Sequence, residues 1–308
     1  MKKNLTLLLS FSLFVLSATA ALAQNVLVDT KKSYPNIKTI EVNGGWLDVS
    51  YQGGSSSSVD VTAYLASNDN DQDIVFVTVG DVLKISLERK VSNYSWNSRN
   101  KGYITITGPE NMNVKFKNSS GTLKVDKVKA SETSLQVTSG KITATNISGD
   151  LYLGATSGNL EVNGVNGNVQ ARLTSGNASI NQVNGNVDYE STSGSLEANG
   201  VKGTLAASLT SGNAKLNNIG SLGKLQFTSG NIRATLAGLG PQTQFSGTSG
   251  NFNIQTGSDL KSFNYSLKAS SGNLKVGTIS TGKTLEISNG ATTTIRGNIS
   301  SGNITIEN

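Results

Sequence analysis

From residue 119 onward the apolar residues come in short alternating clusters, and the clusters recur at an interval of eighteen. Counted from Ser157 as zero, apolar side chains fall at offsets 3, 5, 8, 12, 14 and 16, namely Leu160, Val162, Val165, Val169, Ala171 and Leu173. Counted from Ser193, the same offsets hold Leu196, Ala198, Val201, Leu205, Ala207 and Leu209. A spacing of two within each cluster is strand alternation, with one side of each short strand turned to a core. Each copy starts at a Ser-Gly dipeptide, usually inside Thr-Ser-Gly-Asn, with Gly at 121, 140, 158, 176, 194, 212, 230, 250, 272 and 302. The gaps are 19, five successive eighteens, then 20, 22 and 30. Asn289-Gly290, eighteen after Gly272, reads as a degenerate copy inside the last gap. Turn residues separate the clusters, as in Asn163-Gly164-Val165-Asn166-Gly167-Asn168 and Lys202-Gly203.

One such repeat cannot bury its own apolar side. Stacking identical turns puts each offset over its counterpart and makes a continuous interior. The pattern therefore predicts an all-β chain, a parallel β-solenoid of ~18-residue coils, capped by an N-terminal β segment. Roughly ten coils spaced ~4.8 Å apart make a rod on the order of 50 Å long. Gly140, Gly158, Gly176, Gly194, Gly212, Gly230, Gly250 and Gly272 are the expected structural corners, where the backbone is left-handed or has no room for a Cβ. Asn recurs at offset 2 (Asn159, Asn177, Asn213, Asn231, Asn251, Asn273) and at offset 6 (Asn163, Asn181, Asn199, Asn217). Stacked, these become vertical rows whose amides can bond to their copies. The competing role for the rows is a polar face that grips sugar hydroxyls. A meander of hairpins at Asn166-Gly167 and Asn184-Gly185 is the rival architecture.

The ends of the chain read differently. Lys2 and Lys3, an apolar run from Leu5 to Leu16 and Ala21-Leu22-Ala23 make residues 1–23 a secretory signal peptide. That apolar run is too short to span a bilayer comfortably, and the mature chain is expected to have no membrane span. Residues 24–118 carry longer alternating segments at 37–42, 46–51, 59–64, 74–79, 82–87 and 103–106. A stack needs its end covered, so this segment is expected to open or cap the solenoid formed by 119–308. The last copy, Ile299 to Ile306, is followed by no evident cap, and its edge is expected to pair with another copy of the chain.

Composition then narrows the chemistry. The chain has no His and no Cys, which removes imidazole catalysis, His- or thiolate-bound metals, disulfides and lipid attachment through a cysteine. The net charge of +6 falls to +4 without Lys2 and Lys3, too little to imply nucleic-acid binding. Thirty-four Gly among 308 residues argue against helices. Enzymes that act on polysaccharides with a β-helix fold need carboxylates converging on one face. Here Glu161 and Glu197 share offset 4 but are separated by Ser179, two coils apart and so roughly 10 Å. Asp188 and Glu190 meet Gln170, Arg172, Ala206 and Ser208 at the matching offsets, none of them acidic. Calcium-binding coils need an Asp in each turn, and these turns carry Asn. No catalytic residue, metal ligand or cofactor is assigned.

The most distinctive unrepeated stretch runs from Arg89 to Tyr103. Tyr94, Trp96, Arg99 and Tyr103 are candidate glycan contacts, since aromatic faces stack on sugars and Arg meets anionic groups. The alternative for this stretch is a plain loop with Trp96 folded back over the end of the stack.

These features together resemble the bacterial adhesin-like families DUF4097 and DUF2807. The residues that carry the resemblance are the signal peptide, Val42-Asn43-Gly44-Gly45-Trp46-Leu47-Asp48-Val49, the Leu83-Lys84-Ile85-Ser86 strand, the Gly108-Pro109-Glu110 turn and the serial Ser-Gly-Asn corners. The resemblance covers nearly all of the mature chain. It implies a β-solenoid with a cell-envelope or surface role, and it supplies no catalytic residues. The expected function is that of an exported, non-enzymatic structural or adhesive protein, in the periplasm, at the cell surface or secreted. Its binding is spread over a polar face, and its partner is a surface glycan or an envelope protein. A scaffold in envelope-stress signalling and a polysaccharide-active enzyme are the alternatives.

Overall fold

The structure is a computed structural model that describes residues 25–90 and 100–308. The signal-peptide segment and the residues Tyr94, Trp96 and Arg99 lie outside that range. The strands are β1 (Asn25–Pro35), β2 (Thr39–Gly45), β3 (Asp48–Gly54), β4 (Ser58–Ser67), β5 (Gln72–Val79), β6 (Val82–Arg89), β7 (Asn100–Pro109) and β8 (Asn113–Asn118). The long bent strands β9 (Thr122–Asn166), β10 (Val169–Val183) and β11 (Val187–Ala237) follow, then β12 (Gln244–Gln255). After a short 3-10 turn at Leu260–Ser262 come β13 (Asn264–Ser271), β14 (Leu274–Val276), β15 (Ile279–Thr281), β16 (Thr284–Ile287) and β17 (Thr294–Glu307).

The body of the molecule is a parallel β-solenoid. Leu151 pairs with Val169 and Val169 with Val187, so the eighteen-residue interval of the sequence is the register of the ladder. All twelve apolar residues named for the copies at Ser157 and Ser193 are buried. Neighbouring layers complement one another in size. At offset 14, Ala171 pairs with Leu153 on one side and with Tyr189 on the other. The interior is filled by side chains stacked in columns, so its packing depends on what lies one coil away as well as on the strand neighbour.

Ten glycines form one column along a corner. A Cβ on Gly176 would lie 1.8 Å from the carbonyl oxygen of Gly158, and one on Gly212 would lie 1.9 Å from that of Gly194. From Gly176 to Gly250, and at Gly272 and Gly302, φ is between +133 and +151 as well. The corner therefore excludes other residues chiefly because the next backbone occupies the space a side chain would need. Amide ladders run beside it. Asn231 donates from its backbone nitrogen to Asn213 Oδ1 at 3.1 Å, Asn251 donates to Asn231 Oδ1 at 2.9 Å, and Asn303 to Asn251 Oδ1 at 2.9 Å. The offset-6 row is less regular: Asn217 donates to Asn199 at 3.1 Å, whereas Asn181 turns to Ser179. A third ladder stands at offset 11, where Asp150, Asn168 and Asn186 accept in turn from the backbone nitrogens of Asn168, Asn186 and Thr204 at 2.9, 2.9 and 2.8 Å.

At both ends the layers are out of sequence order. Near the N-terminus, β3 pairs in parallel with β7 on one side and β9 on the other, while β2 does the same with β6 and β8. Residues 39–54 are thus a flanked coil of the stack. The antiparallel pairs β1–β4, β4–β7 and β5–β6 lie outside it. Near the C-terminus, β17 lies between β12 and the β13–β14 layer, with Gly250 paired to Gly302, Ser271 to Ser301 and Leu274 to Ile304.

Two expectations change. The Ile299–Ile306 edge is paired on both sides and is not open, because the last strand fills a gap between earlier ones. Asn289-Gly290 is not a coil corner: a Cβ on Gly290 would have no neighbour within 4 Å, and the Asn289 side chain bonds to Phe263 O at 2.7 Å. The terminal layer is instead covered by β15 and β16, which run antiparallel to β14 and β13.

Candidate functional site

A second vertical column has a different backbone. Lys127, Asn146, Gly164, Gln182, Gly200, Asn218 and Leu236 all have φ between +51 and +75, the left-handed helical region. They stand at offset 7, and five of the seven are not glycine. A left-handed residue at the same place in seven successive coils turns the chain sharply, and the repeated turn makes a concave channel along the axis. Its cavity volume is about 1010 Å³.

The channel has two walls and a floor, each one residue wide per coil. The left-handed residues from Lys127 to Asn218 form one wall, and residues two positions further on, Lys129, Ser148, Asn166, Asn184, Lys202 and Gly220, form the other. Between them Val128, Ile147, Val165, Val183, Val201 and Ile219 point inward and are buried. Six coils contribute, which at the coil spacing makes the channel about 24 Å long. Asn166, Gln182, Asn184 and Asn218 make no side-chain hydrogen bond among the described residues, so their amides offer both donors and acceptors to a ligand. Asn146 donates to Asp126 Oδ1 at 2.9 Å. Lys129 is tied to Glu110 at 2.6 Å, whereas Lys127 and Lys202 have no ion pair among the described residues, which leaves the channel with a positive balance.

Of the other positions singled out from sequence, Glu161 and Glu197 line a second groove of about 630 Å³ together with Lys141 and Lys215. Ser179 is the register partner of both Glu161 and Glu197 and keeps the two carboxylates on separate coils. Glu161 is held by Lys141 at 2.5 Å, and this contact keeps its carboxyl below the usual range. Glu190 pairs with Arg172 at 3.1 Å. No cluster of three or more potential metal ligands occurs among the described residues. Tyr103 lies away from the channel, exposed on β7, where it stacks on Tyr64 of β4 at 5.7 Å. The sequence reading missed Tyr64, whose place opposite Tyr103 depends on the pairing of strands about forty residues apart. The channel was also missed. Its only trace is the recurrence of Asn, Gln and Gly at offset 7, and Lys127 and Leu236 break even that.

A parallel solenoid whose main concavity runs the length of several coils is a repeat protein built around a surface. The sequence model of the Toastrack DUF4097 family matches residues 37–215 and again 186–307, and the chain belongs to that family. Among solved structures it is similar to a "putative adhesin" from Bacteroides fragilis, at 15% identity over 91% of this chain and 97% of that one, with a TM-score of 0.35. A "putative lipid binding protein" from Parabacteroides distasonis is similar at 13% identity over 91% and 97%, with a TM-score of 0.38. A "putative cell adhesion protein" from Clostridium sporogenes is similar at 10% identity over 91% and 99%, with a TM-score of 0.23. No curated protein matches the chain. No helix among the described residues is long and apolar enough to cross a membrane.

Proposed function

We propose that this Toastrack chain is an exported, non-enzymatic adhesive element of the cell envelope that holds a linear glycan along the left-handed channel. The observation that carries the reading is the channel itself: an elongated cavity of about 1010 Å³, walled by the same polar offsets in consecutive coils. A repeating ligand laid along it meets equivalent groups coil after coil. Its hydroxyls pair with the amides of Asn166, Gln182, Asn184 and Asn218, and its acidic groups face Lys127 and Lys202. Many weak contacts of this kind sum to useful affinity without a deep pocket. The single carboxylate in the lining, Glu110, is neutralised by Lys129, which suits holding a polymer better than cleaving it.

The test is binding of the mature protein to a panel of neutral and acidic polysaccharides and their oligomers. Wild type should bind acidic chains most tightly, with affinity that rises with oligomer length until the channel is filled and falls with added salt. The double variant Gln182→Ala/Asn184→Ala and the single variant Lys202→Glu should each lose roughly tenfold, about 1.4 kcal/mol. Binding unaffected by both variants would move the site elsewhere, to the Tyr64–Tyr103 ledge first. Surface labelling of intact cells tests the envelope location.

A further inference from the structure

The C-terminal strand occupies a slot whose walls are made by other strands and whose shape selects this strand. At offset 14 the interior residue is Leu153, Ala171, Tyr189, Ala207, Leu225, Phe245 or Leu267 in the other coils, and Gly297 in β17. Gly297 is paired to Phe245 on one side and to Leu267 on the other. A Cβ there would come within 2.7 Å of Leu267 Cδ2. Leu267 Cδ2 is the end of a flexible side chain, so a larger residue at that height requires Leu267 to move, and the glycine makes β17 the strand that fits the slot as it stands. All the strand pairings of β17 are to β12, β13 and β14. It makes none with β16, the strand that precedes it, and residues 288–293 join the two without regular structure.

We infer that β17 is exchangeable between copies, and that the partner for this slot, when the chain's own strand is not in it, is the β17 of a second copy of the same protein. β17 must enter between two layers that residues 256–263 already join. Until it arrives, β12 and the β13–β14 layer each present an unpaired parallel edge and a strip of core facing the other. A second copy's β17 satisfies both edges with the same register and the same glycine, so reciprocal exchange preserves every pairing and changes only which chain supplies it. The hinge for this is the stretch 288–293, tied to Leu260, Phe263 and Asn264 by side-chain bonds at Asn289 and Ala291 and by one backbone bond, from Asn264 N–H to Thr293 O at 2.9 Å. Self-association by this route is internal to the stack, unlike the open-edge pairing expected from sequence.

The 308-residue chain has no cysteine, so engineered thiols report the exchange directly. Asn253 and Thr305 are register partners on the outward side of β12 and β17, as are Ser246 and Asn298. Adjacent in-register Cα atoms at strand spacing suit a disulfide. An Asn253→Cys chain and a Thr305→Cys chain are unfolded together, refolded at high concentration and oxidised, and the linked peptides are identified by mass spectrometry. The expected result is a 253–305 bond between chains at least tenfold above the bond formed when Thr305→Cys is replaced by a chain carrying Ser57→Cys. It should be accompanied by a dimer in light scattering. The Ser246→Cys and Asn298→Cys pair serves if either first variant fails to fold. Cross-links at the control level for a pair whose members both fold would overturn the proposal.

Discussion

Tyr189 and Ala171 are register partners one coil apart, so a phenol ring and a methyl group occupy successive layers of the same interior column. Leu153 lies on the other side of Ala171, which makes Ala171 the small member of a large-small-large sequence. Ala171→Leu should therefore overpack the column and cost about 1–3 kcal/mol, read as a lower denaturant midpoint. Tyr189→Phe should behave differently. The hydroxyls of Tyr189 and Ser191 are both buried and lie near each other without a well-formed hydrogen bond. Removing one should leave stability unchanged or raise it by up to about 1 kcal/mol. A loss of more than that in Tyr189→Phe would mean that the hydroxyl is satisfied after all.

The glycine column separates two reasons for needing glycine. Gly212→Ala puts a Cβ against a carbonyl oxygen of the next coil, and the backbone of at least two layers must shift, at a cost of roughly 3 kcal/mol or more. Gly80 also has a positive φ, +61, but a Cβ there meets nothing within 4 Å. Gly80→Ala should cost only about 1–2 kcal/mol from the left-handed backbone. Equal losses in the two variants would rule out coil-to-coil contact as the reason for the column.

Leu236 ends the left-handed column with a branched side chain at φ +51 and a largely exposed surface. Leu236→Gly removes the unfavourable conformation and little buried contact, so the variant should be more stable than wild type by up to about 1 kcal/mol. A thermal scan that finds it less stable would show that the exposed Leu236 side chain packs more than its surface suggests.

Asn186 is a link in the offset-11 ladder, bonded through its own nitrogen to Asn168 and through its side chain to the nitrogen of Thr204. Asn186→Ala leaves that Thr204 N–H without its acceptor and should cost about 1 kcal/mol, whereas Asn163→Ala, at a position that makes no ladder bond among the described residues, should be nearly neutral. Paired denaturation curves decide whether the amide rows carry stability or only polarity.

Three buried phenols set an alkaline limit. Burial pushes Tyr265 up to about 12 from an ordinary 10.0, with the negative charge of Asp259 adding to the effect. Burial also raises Tyr51 and Tyr189. In the unfolded chain these groups lose their protons near 10, while in the folded chain they keep them. Their contribution to stability is therefore whole below about pH 10 and is lost as pH climbs through the folded values. Urea midpoints should be level from pH 8 to 9.5 and fall from 10 to 12, and Tyr265→Phe should soften the fall. A midpoint that stayed level to pH 12 would contradict the shifts.

The body of the fold could be read from the chain because the six offsets recur, with few exceptions, through the central copies, and Leu160 or Val201 needs only its place in the count to be assigned to the core. The layer order at the ends could not. Phe252, Ile304 and Leu274 satisfy the same offset, so periodicity states that they share a column and is silent on which lies between the others. Gly297, a lone small residue where every other copy has an alanine or larger, was the one local sign that its strand is enclosed. The channel escaped notice for another reason. A left-handed backbone is announced by Gly164 and Gly200, but Lys127, Gln182 and Leu236 adopt it because the coils above and below impose it, and nothing in those side chains predicts that. Tyr103 was identified and its neighbour Tyr64 was not, since cross-strand partners are fixed by sheet topology.

The enclosed position of β17 also decides how the molecule answers a pull. Asn308 is fastened beside the strand by side-chain bonds to Thr256 O and Ser258 O, at 3.0 and 2.8 Å. Tension applied through that end loads two hydrogen-bonded ladders at once and drags them lengthwise. An outermost strand would instead peel, rupturing one bond after another. A tether at Asn308 should accordingly let go at a higher force than one attached at Asn25, where β1 pairs with β4 alone among the described residues.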